Sequence, residues 1–189
     1  MVSDDGTAPD DVERVRSFLE GLPRGHPHRV YALDELGRAL RQRFDLFPDT
    51  ALIEEAVESH RAAHRLAPLG DEVVFQVNLA HALLDAYEAR IKDTASLEEA
   101  YGLLRSALES GGISQADERT VLASLSRVLD RRWDRYGREE DLLACVEHHW
   151  RAAKSAEEQG HPRTALFCAK LSDALLDLFS HSSDRAHLA

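Results

Sequence analysis

The chain has few cysteines, few aromatic residues and no long apolar run. Its 189 residues include two cysteines, and 6% are aromatic. Cys145 and Cys168 are too few for a disulfide framework and lie at apolar stretches of predicted helices. We therefore expect buried free thiols in a reducing compartment, with a lone disulfide as the alternative. No apolar run approaches the ~20 residues of a transmembrane helix. Residues 1–11 lack the apolar segment of a secretory signal, which favours a cytoplasmic protein.

The motifs of common enzyme classes are also missing. The sequence has no Gly-rich phosphate loop, no Gly-x-Ser-x-Gly elbow and no Cys-x-x-Cys pair. The formal net charge is -11, and an acidic chain repels phosphate. This balance argues against nucleic acid or a membrane surface as the main partner. We therefore predict neither an enzyme nor a bound cofactor.

What is abundant is a helical repeat rich in alanine, leucine, glutamate and arginine, which are strong helix formers. Apolar residues at i, i+3, i+4 and i+8 share one face of a helix that we call helix A. The pattern occurs four times, as Leu36-x-x-Ala39-Leu40-x-x-x-Phe44, Leu79-x-x-Ala82-Leu83-x-x-x-Tyr87, Leu125-x-x-Val128-Leu129-x-x-x-Trp133 and Leu171-x-x-Ala174-Leu175-x-x-x-Phe179. This period predicts stacked helix pairs, which bury their apolar faces only together.

A second helical pattern, helix B, alternates with the first. Its anchors are Ile53-x-x-Ala56, Leu97-x-x-Ala100 and Leu143-x-x-Val146. An acid precedes each anchor by four residues, where it can cap the helix, at Asp49, Asp93 and Glu139. An arginine follows each anchor in phase with the repeat, at Arg61, Arg105 and Arg151. Such a ladder could bind an acidic peptide, but we favour pairing with, or packing over, neighbouring helices.

Glycine and proline separate the predicted helices at Pro48, Pro68–Gly70, Gly111–Gly112, Gly137 and Gly160–Pro162. After Gly112, Ser114-x-x-Asp117 resembles a capping box. The boundaries predict about eight helices, in the order B, then A–B three times, then A. The predicted segments are a disordered tail (1–10), a half repeat (11–24), three repeats (25–68, 69–112, 113–159), a half repeat (160–181) and a polar tail (182–189). The last apolar face either closes the stack or needs a partner, as in a longer array.

These residues resemble the tetratricopeptide repeat. The run Leu36–Leu40 is similar to its helix A, and Leu97–Ala100 looks like the start of its helix B. The unit of about 45 residues is similar to the long repeats of actinobacterial multi-repeat proteins, which often carry a caspase-like CHAT domain. The resemblance covers residues 11–181, although Ala144-Cys145 replaces the Glu-Glu pair in the third copy. It implies a right-handed α-solenoid that serves as a scaffold for protein binding.

We therefore expect a protein–protein interaction module that binds a peptide or helix in the groove formed by the helix A faces. The candidate contacts are polar residues on helix A, namely Arg38, Gln42, Asn78, His81, Asp85, Ser124, Arg127, Lys170 and Asp173. The alternative is a ligand- or metal-sensing regulator or an unrecognised enzyme with a histidine pocket. Its suspects are His60, His64 and His81; His60 and His64 are weak metal candidates because no third ligand is evident. Self-association as a homodimer is a third possibility.

Overall fold

The computed structural model describes residues 10–89, 93–110 and 113–188, which form eight α-helices and no strand. The helices are α1 (Asp11–Gly21), α2 (Arg29–Leu46), α3 (Thr50–Arg65), α4 (Glu72–Ala89), α5 (Thr94–Glu109), α6 (Gln115–Tyr136), α7 (Glu139–Glu158) and α8 (Thr164–Leu188). The predicted all-α class is confirmed over these ranges. The glycine break at 111–112 and most of the predicted tail over 1–10 lie outside the described residues. Within those ranges, no helix is sufficiently long and apolar to cross a membrane.

Several predicted caps are present in the structure. The Asp49 carboxylate accepts a hydrogen bond of 3.0 Å from the backbone N–H of Ala51. The Ser114 hydroxyl accepts one of 3.1 Å from the N–H of Asp117 and donates one of 2.6 Å to the Asp117 carboxylate, so Ser114 is the N-cap that the predicted capping box required. Gly137 ends α6 in the left-handed region at φ 63°, where glycine carries no Cβ penalty. These contacts place the boundaries of α3, α6 and α7.

The chain divides into two compact units, Met1–Asp93 and Thr94–Ala189. In unit 1, consecutive helices from α1 to α4 pack together, and α2 also contacts α4. Leu40, Ile53 and Leu79 are fully buried between them. Arg16 of α1 forms an ion pair of 2.5 Å with Glu55 of α3. Apolar burial and this pair therefore hold α1 against the rest of the unit.

In unit 2, α5 packs on α6, α6 on α7, and α7 on α8. The buried Arg132 of α6 connects three helices, because it pairs with Asp141 of α7 at 3.2 Å and with Glu98 of α5. Its guanidinium also lies 4.1 Å from the ring centroid of Tyr101. A buried arginine with these partners keeps its charge compensated.

The third helix B has a different register from the predicted one. The buried residues of α7 include Leu142, Cys145 and His149, whereas Leu143 and Trp150 are about half exposed. The predicted anchors were therefore one residue too late. Because Leu142 and Leu143 are adjacent, both possible registers of this helix begin with an apolar residue, so the sequence pattern did not distinguish the two registers.

The predicted capping acid of α7 shifts accordingly. Arg138 is the N-cap and makes no side-chain cap bond, whereas Glu139 lies in the first turn. Glu139 therefore is not the cap, although its charge near the helix N-terminus remains favourable.

The predicted arginine ladder is paired. Its members form ion pairs with glutamates at 2.5 to 2.7 Å, Arg61 with Glu58, Arg105 with Glu109 and Arg151 with Glu118. The Arg61 and Arg105 pairs each lie within one helix, and the Arg151 pair connects α7 with α6. The expected pairing with a neighbouring helix is seen for Arg151, whereas the ion pairs of Arg61 and Arg105 are local to α3 and α5.

Candidate functional site

A cleft of about 530 Å³ opens between α1 and α2 in unit 1. Both helices contribute apolar and charged side chains to its lining: Arg14, Val15, Phe18, His28, Tyr31, Ala32, Glu35 and Arg38. A volume of this size lies in the range of binding sites, and it can hold several side chains of a partner. We call it the α1–α2 cleft.

The local sequence explains why α1 leaves this space open. Val12 and Val15 are buried against α2, which fixes one face of α1. Arg29 of α2 donates hydrogen bonds to the carbonyl oxygens of Leu19 (3.2 Å) and Leu22 (3.3 Å) at the C-terminal end of α1. Phe18, one turn after Val15, lies on the adjacent part of the same face of α1, lines the cleft and remains 57% exposed. A large aromatic residue therefore stands at the cleft in a fixed helix.

Tyr31 forms the second aromatic wall and is held from α4. Its hydroxyl donates a hydrogen bond of 3.0 Å to Asp71, which raises the pKa of the phenol. Its ring lies 6.0 Å, centroid to centroid, from that of Phe75. Tyr31 is about half exposed, so it presents one ring face in a defined orientation. Aromatic residues of this kind contribute much of the binding energy in protein interfaces.

The charged residues of the cleft are paired but accessible. Arg38 pairs with Glu35 at 2.6 Å and with Asp34 at 3.3 Å, and about half of its side chain is exposed. Arg14 pairs with Asp11 at 2.7 Å, and both side chains are exposed. Exposed pairs contribute little stability and can exchange partners. A carboxylate on a bound partner could therefore engage either arginine.

A buried polar cluster lies beneath Arg38. Nδ1 of the fully buried His60 lies 2.9 Å from an Asp34 carboxylate oxygen, and the Asn78 amide donates to both Asp34 oxygens at 3.0 Å. Gly37 allows this packing, because a Cβ at position 37 would lie 2.6 Å from Nε2 of His60. The cluster thus fixes Asp34, which in turn orients Arg38.

The five predicted contact residues on helix A in unit 1 have different environments. Asn78 is used by Asp34, and Asp85 forms an ion pair of 2.6 Å with Arg41. Gln42 is exposed and His81 is half-buried. Arg38 alone among the five also lines the cleft.

The predicted residues of unit 2 lie in three different environments. Ser124 is buried, and its hydroxyl donates to the Thr120 carbonyl at 2.9 Å, so it does not lie on an accessible face. Arg127 is exposed. Lys170 and Asp173 form an exposed pair of 3.5 Å on α8.

The alternative of a metal site at the histidines finds no support in the described residues. The described ranges contain no group of three or more His, Cys, Asp or Glu residues that could hold a metal ion. His60 is fully buried and packed against Gly37, while His64 is half-buried. Nε2 of His60 and Nδ1 of His64 are buried without a hydrogen-bond partner. His60 thus acts in packing and hydrogen bonding within unit 1.

The two cysteines are free but differ in exposure. Cys145 is buried as predicted, and burial, with smaller contributions from Asp130 and Asp177, raises the pKa of its thiol to about 12. Cys168 is exposed on α8, so the expectation of a second buried thiol is wrong. The surface of α8 is open where the apolar pattern suggested burial.

Sequence analysis missed most of the cleft, including Phe18, although a signal was present. Phe18 occupies the position that is filled in the other helix B copies by Ala63, Ala107 and Ala152, which are all fully buried. An aromatic residue replacing a small one in a repeat marks a place where the neighbouring packing changes.

Comparison of the chain with family models, curated proteins and solved structures found no match.

Proposed function

We propose that this protein is a protein–protein interaction module built from tetratricopeptide-like helix pairs, and that its α1–α2 cleft binds an amphipathic partner helix. The observation that carries the proposal is the open cleft of about 530 Å³ with Phe18 exposed beside the anchored Tyr31. Apolar clefts flanked by helices accept the apolar face of another helix.

The composition of the cleft supports a protein partner. Phe18 and Tyr31 provide exposed aromatic area, and Arg14 and Arg38 stand at its edge. Aromatic residues and arginine are enriched at the energetic centres of protein interfaces. The preferred partner helix would place small or aliphatic residues against Phe18 and an acidic residue near Arg38.

Site-specific photo-crosslinking in cells tests this function. A photoreactive phenylalanine analogue at position 18 replaces an exposed aromatic residue with one of similar shape. We expect one discrete crosslinked protein from this position. The matched control carries the same analogue at Leu69, which is 98% exposed in the turn between α3 and α4. If position 18 gives no adduct beyond those of position 69, the cleft is not a protein-binding site.

A further inference from the structure

We propose that the α1–α2 cleft of one copy receives helix α8 from a second copy of this chain. The proposal rests on the proposed function, because it names the partner helix of the same cleft. It depends on two exposed surfaces of the same chain and on the residue register with which the two helix A copies of unit 1, α2 and α4, pack together.

The first open face lies on α8. Leu40 and Leu129 are buried in helices that pack on α3 and α7, yet Leu175, at the same repeat position, is 46% exposed. Leu176 and Phe179 are 64% and 70% exposed. These residues form an apolar stripe that the described residues leave uncovered. Such a stripe on a helix is a common protein contact surface.

The second open face is the cleft, and the register of unit 1 shows what fits it. Three pairs connect α2 with α4, each 44 residues apart: Tyr31–Phe75, Asp34–Asn78 and Arg41–Asp85. One repeat earlier, the counterparts of Phe75 and Asn78 are Ala32 and Glu35, which both line the cleft. The cleft is therefore the place that a preceding helix A would occupy.

Helix α8 carries apolar residues at the matching positions. The aligned helix A patterns make Leu166, Ala169 and Leu176 the counterparts of Tyr31, Asp34 and Arg41. In this register Leu166 packs on Ala32 and Ala169 lies beside Glu35. Leu166 and Leu176 are both more than half exposed in the single chain. Docking would remove this apolar area from water, which favours association.

Side-chain sizes are also complementary. Within unit 1, Val30 of α2, Ala63 of α3 and Phe75 of α4 form one buried cluster. The corresponding residues of the proposed contact are Ala165 of α8, Phe18 of α1 and Ala32 of α2. In the unit 1 cluster the aromatic residue, Phe75, belongs to helix A. In the proposed contact the aromatic residue, Phe18, belongs to helix B, and Ala32 occupies the position of Phe75. The exposed Phe18 ring thereby finds small neighbours on both sides, as close packing requires.

The charges agree with this orientation. The register places Asp173 of α8 within one helical turn of Arg38 of the second copy. Asp173 is 67% exposed and pairs with Lys170 at 3.5 Å, a contact weak enough to exchange. The acid on α8 thus faces an arginine at the edge of the cleft.

This contact joins two different faces, so each bound pair retains one free cleft and one free α8. These free faces either bind each other, which closes a ring as small as a reciprocal dimer, or extend an open chain. A symmetric contact of α8 with α8 would not involve Phe18, so the dependence of association on Phe18 separates the two arrangements.

Sedimentation velocity of the purified full chain at increasing concentration tests the inference. We expect wild type to associate, as a closed ring or an open chain, and both Phe18→Glu and Leu176→Glu to lose association by at least about tenfold in Kd. Leu69→Glu, in an exposed turn outside both faces, should associate like wild type. Circular dichroism of each variant verifies folding, which is expected because all three side chains are more than half exposed.

Mixing the two variants gives the decisive result. Phe18→Glu retains its α8 stripe and Leu176→Glu retains its cleft, so the mixture should form a 1:1 dimer and nothing larger. Self-association of Phe18→Glu at wild-type affinity, or a monomeric wild type at every attainable concentration, would overturn the inference. In that case, crosslinking of a different protein from position 18 would still support the interaction module. The absence of any adduct at position 18 would contradict both the interaction module and the self-association.

Discussion

At the scale of single residues, Gly37 and His60 show how a helix position can favour glycine against helix propensity. The His60 ring is fully buried and bonded to Asp34, so it cannot move away easily. It occupies the space beside Gly37 that a Cβ would need. The helix A copies that follow have Ala80, Ser126 and Ser172 at this position. Gly37 is therefore a consequence of one buried imidazole.

We predict that Gly37→Ala destabilises the protein. Helix propensity favours alanine by about 1 kcal/mol. Overpacking against the ring costs about 1–3 kcal/mol and should exceed this gain, so the net free energy of unfolding should fall by up to about 2 kcal/mol. Gly102→Ala is the matched control in α5, because a Cβ there meets nothing within 4 Å. It should stabilise by about 0.5–1 kcal/mol.

Denaturant unfolding of the full chain measures both changes. Equal stabilisation by the two alanines would show that His60 yields to the added methyl group. The stability effects of His60→Ala and Gly37→Ala should be non-additive in the double variant, whereas those of His60→Ala and Gly102→Ala should add.

At the scale of helices, the sequence pattern predicted which segments are helical better than which faces are buried. Eight helices form near the predicted positions because period, capping residues and breakers all agree there. The third helix B was misplaced because Leu142 and Leu143 satisfy either register. The structure buries Leu142, Cys145 and His149, in phase with Ile53, Ala56 and His60. A local pattern could not choose between neighbouring apolar residues, because the choice depends on what packs against them.

The caps of helix B give an element-scale prediction. Asp49 caps α3 through its carboxylate, whereas Arg138 leaves α7 without a side-chain cap. Asp49→Ala should therefore lower the free energy of unfolding by about 1 kcal/mol, and Arg138→Ser should raise it by about 0.5 kcal/mol or more. The Arg138 guanidinium lies 4.6 Å from the centroid of the Tyr136 ring, and losing this contact offsets part of the gain.

Arg138→Ala separates the two effects, since it removes the charge without adding a cap oxygen. Thermal unfolding of the three variants should place Arg138→Ser above Arg138→Ala. The reverse order would show that α7 does not use a cap at this position.

At the scale of the whole molecule, the sequence predicted an all-α chain of packed helices but not its candidate site. The predicted contact residues were chosen as polar interruptions of an apolar stripe, and several are occupied within the fold, as Asn78 is by Asp34. The α1–α2 cleft instead lies beside α1, the first described helix. Its key residue, Phe18, matters because no described helix fills the space beside it. Such a site depends on which helices pack there in three dimensions, which a local sequence pattern does not reveal.

Global stability should depend on pH through His148 and His149. Burial is the main cause that lowers the pKa of both imidazoles below the ordinary value of 6.5. Below pH 6.5 the unfolded chain therefore binds protons that the folded chain rejects, so the free energy of unfolding falls as pH decreases toward the folded pKa values. Asp130 acts in the opposite direction, because burial raises the pKa of its carboxyl above 3.8.

Denaturant unfolding between pH 7.5 and about 5.5 measures the histidine effect. A variant with His148→Gln and His149→Gln cannot titrate at these positions, so its stability should decline less steeply with falling pH. His26→Gln is the control, because this partly buried ring lies just before α2 in unit 1 rather than in unit 2. Identical pH profiles for wild type and the double variant would contradict the assignment. α7 packs on both α6 and α8. Protonation of His148 and His149 should therefore destabilise unit 2 first, including the packing of α8 on α7.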